Sequence, residues 1–175
     1  MGRQLTVFGG IARVGALAAC CAVFAHCSGP FSSKEYSPRV VEEGEPVPKG
    51  GGAYRIGKPY TLNGRTYVPA ENPRYRAEGV ASWYGRDFHG RLTANGEVYD
   101  MHSLSAAHTT LPLPSYVRVT NLDNGRSIIV RVNDRGPWGR TRPRILDLSR
   151  AAAEAIDMIR AGVITVRAEI VRRGP

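Results

Sequence analysis

Tyr116–Asn133 reads Y-V-R-V-T-N-L-D-N-G-R-S-I-I-V-R-V-N. Tyr116–Asn121 and Arg126–Asn133 each alternate with a period of two, which turns one face of a strand to a core and the other to solvent. Asp123-Asn124-Gly125 between them supplies residues that tolerate left-handed backbone, so the stretch predicts an antiparallel hairpin. Working outward, Val163–Val171 (V-I-T-V-R-A-E-I-V) alternates again and predicts the last strand. Gly79–Tyr84 alternates apolar and small residues before Gly85. A single helix is predicted, with Ser149 as N-cap of Arg150–Ile159 and an end near Ala161-Gly162. Short strands, many Gly and Pro turns and one helix predict a mainly β fold, a small closed barrel over residues 79–175.

Upstream, Tyr54–Asn72 holds Leu62-Asn63-Gly64-Arg65, a strong turn signal between two aromatic-bearing extended runs. Residues 54–78 are therefore expected to form a hairpin or extended arm packed on the barrel. Residues 28–53 carry S-G-P, E-E-G-E-P-V-P and K-G-G-G with few large apolar side chains, and predict a flexible linker.

The first 27 residues predict an export signal. Arg3 and Arg13 precede the apolar run Val14–Ala25, which is too short to span a bilayer comfortably. All three cysteines, Cys20, Cys21 and Cys27, fall in this segment, so the remaining chain can form neither a disulfide nor a thiolate metal site. Leu17-Ala18-Ala19-Cys20 looks like a bacterial lipobox, which would make Cys20 a lipidation site. Cys27 and ordinary cleavage after Ala25 remain alternatives. Either anchor implies a periplasmic protein held at a membrane, the outer one in our reading.

Arginine supplies all but Lys34, Lys49 and Lys58 of the 24 basic residues behind the formal charge of +9. In an exported protein this field suits an anionic wall polymer or lipid head group rather than nucleic acid.

The densest motif run lies from Gly79 to Ser149. T-A-N-G-E ends at Glu97, A-A-H-T-T-L-P contains His108, and V-N-D-R-G-P contains Asp134. Two carboxylates and an imidazole beside turn-forming residues outline a polar cleft, and polysaccharide suits such a site outside the cytoplasm. Each also has a plainer reading: Glu97 as a solvated turn residue, His108 as a buried imidazole satisfied by backbone, and Asp134 as the cap of the turn that it opens. Trp83 and Tyr84 offer rings for stacking on sugars, with core packing as the alternative for Trp83. Thr93 and Asn95 are candidate hydrogen-bond partners for substrate. Asp147, in R-I-L-D-L-S, is a candidate contact or a structural residue at the helix start. No spacing of His89, His108 and Asp134 suits a metal, and no cofactor is expected.

Taken together and in order, G-V-A-S-W-Y-G, F-H-G, T-A-N-G-E, A-A-H-T-T-L-P, V-N-D-R-G-P and R-I-L-D-L-S resemble the rare lipoprotein A family. G-K-P-Y-T-L-N-G-R-T-Y-V-P resembles the segment that often precedes the barrel there, so the likeness runs from Tyr54 to Val171. The resemblance implies a six-stranded double-psi β-barrel and lytic cleavage of peptidoglycan glycan strands at the septum, with division-site proteins as possible partners. Many members also carry a C-terminal SPOR domain. The sequence ends at Pro175, so none is expected here and septal targeting does not follow.

By the same resemblance, Asp134 is the general acid/base. Glu97 orients the muramoyl C6 hydroxyl or stabilises the cation, and His108 holds a carboxylate by hydrogen bonding. Arg135 would depress Asp134 if it turned inward, so it is expected to point outward or contact substrate.

Overall fold

The computed structural model describes Gly2, residues 37–138 and residues 143–173. The export signal beyond Gly2, with Cys20 and Cys27, lies outside the described residues.

Among the described residues eight strands and one α-helix follow in order: β1 Tyr60–Leu62, β2 Arg65–Tyr67, β3 Arg76–Tyr84, β4 Ser105–Ala107, β5 Ser115–Asn121, β6 Ser127–Asp134, β7 Leu146–Ser149, α1 Arg150–Ala155 and β8 Ile164–Arg173, with a single 3-10 turn at Arg86–Phe88. β3 to β8 close into a six-stranded barrel in the order β3-β7-β4-β6-β5-β8. The β3–β7 and β4–β6 pairs are parallel and the other four antiparallel. This closed, mainly β architecture with one short helix is the expected double-psi barrel.

The alternation that predicted the central hairpin is what fills the barrel. Val117 and Val119 of β5, Val130 and Val132 of β6, Leu146 and Leu148 of β7 and Val166 of β8 are all fully buried. Each such side chain contributes roughly 1.5–3 kcal/mol of transfer free energy. Ala152, Ala153, Ile156 and Met158 close one side of the core. Ser149 caps α1 as expected, its hydroxyl accepting from the Ala152 N–H at 3.2 Å. The helix stops at Ala155 rather than Ile159, because Asp157 takes a left-handed conformation (φ 57°).

β1 and β2 form the predicted hairpin, with Asn63 (φ 52°) and Gly64 (φ 77°) both left-handed as a type I′ turn requires. It lies against the barrel. Tyr60 Oη donates to the Thr109 carbonyl at 2.7 Å, and the Tyr60 and Tyr67 rings meet Trp138 edge-on at 5.6 and 6.2 Å.

The described part of the expected linker, residues 37–53, is not a free tether. The Val40 and Val41 N–H groups donate to the Gly90 carbonyl, the Leu92 N–H donates to Pro38, and Val41 is buried. Low apolar content concealed this because the attachment is made by backbone groups, which residue type does not report.

Candidate active site

One irregularity in the barrel sets the site. Along the β4–β6 ladder Ala106 pairs with Val132, but Ala107 pairs with Asp134, leaving Asn133 as an extra residue. A strand shows alternate faces, so without the bulge Asp134 would follow Val130 and Val132 into the core. With it, Asp134 shares the face of Ala107. Ala107 also pairs with Asp147 of β7, and Asp147 with Ser82 of β3. Ser82, Asp147, Ala107 and Asp134 thus form a row across four adjacent strands. The two aspartates stand two strand spacings apart, roughly 10 Å between Cα atoms. Ala107 makes the low floor between them, and Gly136 crosses above it, where an added Cβ would lie 3.2 Å from Ala107 Cβ. Its φ of 150° likewise favours glycine.

Asp134 Oδ1 accepts from the N–H groups of Ala94 and Arg135, both at 2.8 Å, while Oδ2 makes no hydrogen bond among the described residues. Burial pushes the carboxyl up to about 6, against these two bonds and the Arg135 charge. Asp147 is also raised by burial, opposed by the Ser82 hydroxyl and the Arg144 guanidinium.

Glu97 lies in the opposite electrostatic state. Burial pushes it up, but hydrogen bonds outweigh that and hold it below the usual carboxylate range. Arg131 donates from Nη2 to Oε1 at 2.6 Å, Asn133 to Oε2 at 2.8 Å, and Asn95 Nδ2 to Oε1 at 2.9 Å. Gly52 covers it so closely that an added Cβ would lie 2.7 Å from Glu97 Cγ. Glu97 is therefore neither a solvated turn residue nor open to a ligand on this side.

Several candidate contacts change role in the structure. Thr93 and Asn95 are buried and spend their side chains within their own loop: Thr93 Oγ1 donates to Asn95 Oδ1 at 2.8 Å and Asn95 serves Glu97. They order the Glu97 loop rather than face substrate. Arg135 turns inward, its guanidinium donating to the carbonyls of Ile56 and Leu111 at 2.7 Å and His108 at 3.3 Å. It pins two segments, at Ile56 and at residues 108–111, and these carbonyls offset the desolvation that outward pointing would have avoided.

His108 holds no carboxylate. Its Nδ1 accepts from the Thr110 and Leu111 N–H groups at 3.0 and 2.9 Å, so Nε2 carries the proton and donates to Tyr75 Oη at 2.9 Å. Burial, then the Arg135 charge, lowers it to about 3, so it is uncharged near neutral pH. Its backbone N–H still serves the site, donating to the Asp134 carbonyl at 3.0 Å.

Trp83 packs against the core. Tyr84 stacks on Tyr99 with centroids 4.3 Å apart, and its hydroxyl is buried. Ser105 is a polar neighbour whose geometry falls short of a hydrogen bond. The ring exposed at the groove is instead Trp138, 40% exposed, with Nε1 3.8 Å from the Cβ position of Gly136. The sequence carried a signal for it, since Trp138 directly follows Gly136-Pro137 in the same motif.

A family described as lytic transglycolase matches residues 76–168, from the start of β3 into β8. The chain is 47% identical over 159 residues to an endolytic peptidoglycan transglycosylase RlpA of Vibrio cholerae, covering 85% of this chain and 60% of that protein. It is 52% identical over 130 residues to the protein of the same name from Pseudomonas aeruginosa, covering 74% of this chain and 37% of that one. It thus spans less than two thirds of the length of either relative. A Clavibacter michiganensis expansin structure aligns with a TM-score of 0.44 at 18% identity, over 58% of this chain and 52% of that one. The match from β3 into β8 takes in Glu97, His108, Asp134 and Asp147, and the chain belongs to the lytic transglycolase family.

Proposed function

We propose that this chain is an endolytic peptidoglycan lytic transglycosylase of the cell envelope, cleaving the MurNAc–GlcNAc bond with formation of 1,6-anhydro ends. The observation that carries this reading is Asp134. Its carboxyl is raised to about 6, fixed through Oδ1 by two backbone donors, and leaves Oδ2 for a reacting atom. An acid with that pKa is part-protonated near neutrality and can both give and take a proton.

Asp134 protonates the glycosidic oxygen as the bond from that oxygen to the muramoyl C1 breaks. Positive charge grows on C1 and the ring oxygen. The Asp134 carboxylate then takes the proton of the same residue's C6 hydroxyl, whose oxygen bonds to C1 and closes the anhydro ring. Because that nucleophile is intramolecular, no second residue has to hold a water. Asp147, across Ala107, supports the developing cation from the other side of the groove. Glu97 is a positioning residue in this scheme: ionised and sealed, it holds Arg131 and Asn133, and through Asn133 the bulge that aims Asp134. Trp138 offers a ring for a sugar face.

The two aspartates also favour a second reading. They flank the low Ala107 floor, as two carboxyls that hold a water between them do in inverting hydrolases, in which case Asp147 would activate water and the ends would be reducing. Digestion of purified sacculi and of amidase-stripped strands, with the ends identified by mass spectrometry, decides between them. Anhydro ends that vanish in Asp134→Asn support the transglycosylase. Reducing ends overturn it in favour of hydrolysis, and strands bound but uncut leave only a binding or wall-loosening module. Lipidation at Cys20 or Cys27, attachment to the outer membrane and recruitment by division-site proteins are parts of the proposal that radiolabelled-palmitate incorporation and fractionation test.

A further inference from the structure

Beside the catalytic row, between the β1–β2 hairpin and the barrel, lies a cavity of about 230 Å³. It is smaller than pockets that enclose whole drug-sized ligands, and suits one substituent of a sugar rather than a disaccharide. Its lining includes Arg65, Arg144, Tyr67, Tyr75 and Thr110, and no carboxylate. Arg65 reaches from the hairpin with its guanidinium 5.3 Å over the Tyr67 ring and forms no ion pair among the described residues. Arg144 enters from the barrel side, where Nη1 donates to Ser82 Oγ at 2.7 Å and Nε lies 3.6 Å from Asp147. Asp147 and Ser82 thereby hold Arg144 in place and leave Arg65 uncompensated. Tyr75 Oη accepts from His108 Nε2, so its own proton is unclaimed. The cavity offers a fork of guanidinium N–H groups, a phenolic donor and no competing anion.

We propose that this cavity is a subsite for a carboxylate borne by the muramoyl residue next to the scissile bond, with Arg65 as its ion-pair partner and Tyr75 as its neutral donor. The inference rests on the transglycosylase reading and deepens it. A planar carboxylate matches a guanidinium in two parallel hydrogen bonds, which a neutral hydroxyl or amide cannot do. Placement also follows from the fold: Arg144 links the cavity to Asp147, and the backbone of His108 links its other wall to Asp134. A carboxylate seated there fixes the register of the strand against the acid. Two sources share this chemistry: the lactyl carboxylate of a stripped strand, and the carboxylates of an attached stem peptide.

Binding is best measured in the full chain carrying Asp134→Asn, so that no strand is cut. Stripped strands, stripped strands with carboxyls converted to amides by carbodiimide and ammonia, and peptide-bearing strands are titrated calorimetrically. Adding Arg65→Gln is expected to weaken binding of stripped strands about tenfold and binding of amidated strands by less than twofold. Adding Tyr75→Phe is expected to weaken the stripped strands about threefold, with the melting temperature checked in both. Loss confined to peptide-bearing strands supports the subsite and assigns the stem as its source. Equal losses on charged and amidated strands, or none on any, overturn it. The end-group assay on wild-type protein is independent of this titration, so a failed subsite and a failed transglycosylase give different results.

Discussion

Asp134→Asn separates the chemistry of the site from its packing. Both backbone donors reach Oδ1, from Ala94 and Arg135 at 2.8 Å, so an amide oxygen in the same place keeps them. What the amide removes is a buried charge. The wild-type carboxyl rises from 3.8 to about 6 on folding, chiefly through burial. A shift of about two units corresponds to about 3 kcal/mol at ~1.4 kcal/mol per unit, taken as a ceiling. The folded state binds the proton more tightly than the unfolded chain. The stabilising contribution is therefore complete below the unfolded value and lost as pH rises through about 6. Urea denaturation of both proteins, followed by tryptophan fluorescence from about pH 4 to about pH 8, reads this out. The two are expected to match at the acid end. Toward neutrality the amide should become the more stable by about 1–3 kcal/mol while losing lytic activity. A constant difference across the range, or an amide less stable than wild type at neutral pH, would refute the claim that burial of Asp134 works against the fold.

Glu97→Gln is expected to act in the reverse sense. Removing the charge that Arg131 and Asn133 bind costs roughly 2 kcal/mol at neutral pH, and the gap should close as pH falls below the usual carboxylate range, because the folded pKa is depressed. Equal urea midpoints at neutral pH would contradict this. Gly90→Ala and Gly125→Ala share a positive φ (77° and 75°), but an added Cβ at Gly90 lies 2.0 Å from the Val41 carbonyl oxygen and at Gly125 meets nothing within 4 Å. Gly125→Ala should cost about 1 kcal/mol from strain by itself, and Gly90→Ala should in addition release residues 38–41, seen as faster amide exchange at Val40 and Val41. Tyr84→Phe deletes a buried hydroxyl without a hydrogen-bond partner, so the melting temperature should hold or rise; a loss above about 1 kcal/mol would show that the hydroxyl is satisfied after all.

The parts of the molecule legible in the sequence are those governed by local rules. The Asn63-Gly64 turn, the β5–β6 hairpin and the Ser149 cap each depend on a few adjacent residues. β4 and β7 were not legible, because three and four residues are too few to show a period. Asp147 consequently read as a residue at the helix start, when it is the middle of a strand. The likeness of ordered motifs located Glu97, His108 and Asp134 but not their environments. Whether Glu97 meets Arg131 depends on a register between β6 and a loop 34 residues away in sequence, and whether Arg135 turns inward depends on three carbonyls in two other segments.

Those environments explain how one small barrel keeps two neighbouring acids in different states. Asn133 and Asp134 are consecutive, and the bulge sends their side chains to different tasks: Asn133 Nδ2 donates to Glu97, while Asp134 joins the row with Asp147. Glu97 gains three side-chain partners and stays charged. Among the described residues Asp134 receives only backbone N–H groups at one oxygen, too little to offset its burial. On the function proposed above, this contrast matches the proton-transferring role to the carboxyl left short of donors. The same contrast gives the bulge's extra residue its purpose. Deleting Asn133 would leave the acid directly after Val132 and still opposite Ala107 on the outer face, but would remove the side-chain amide that holds Glu97 in place.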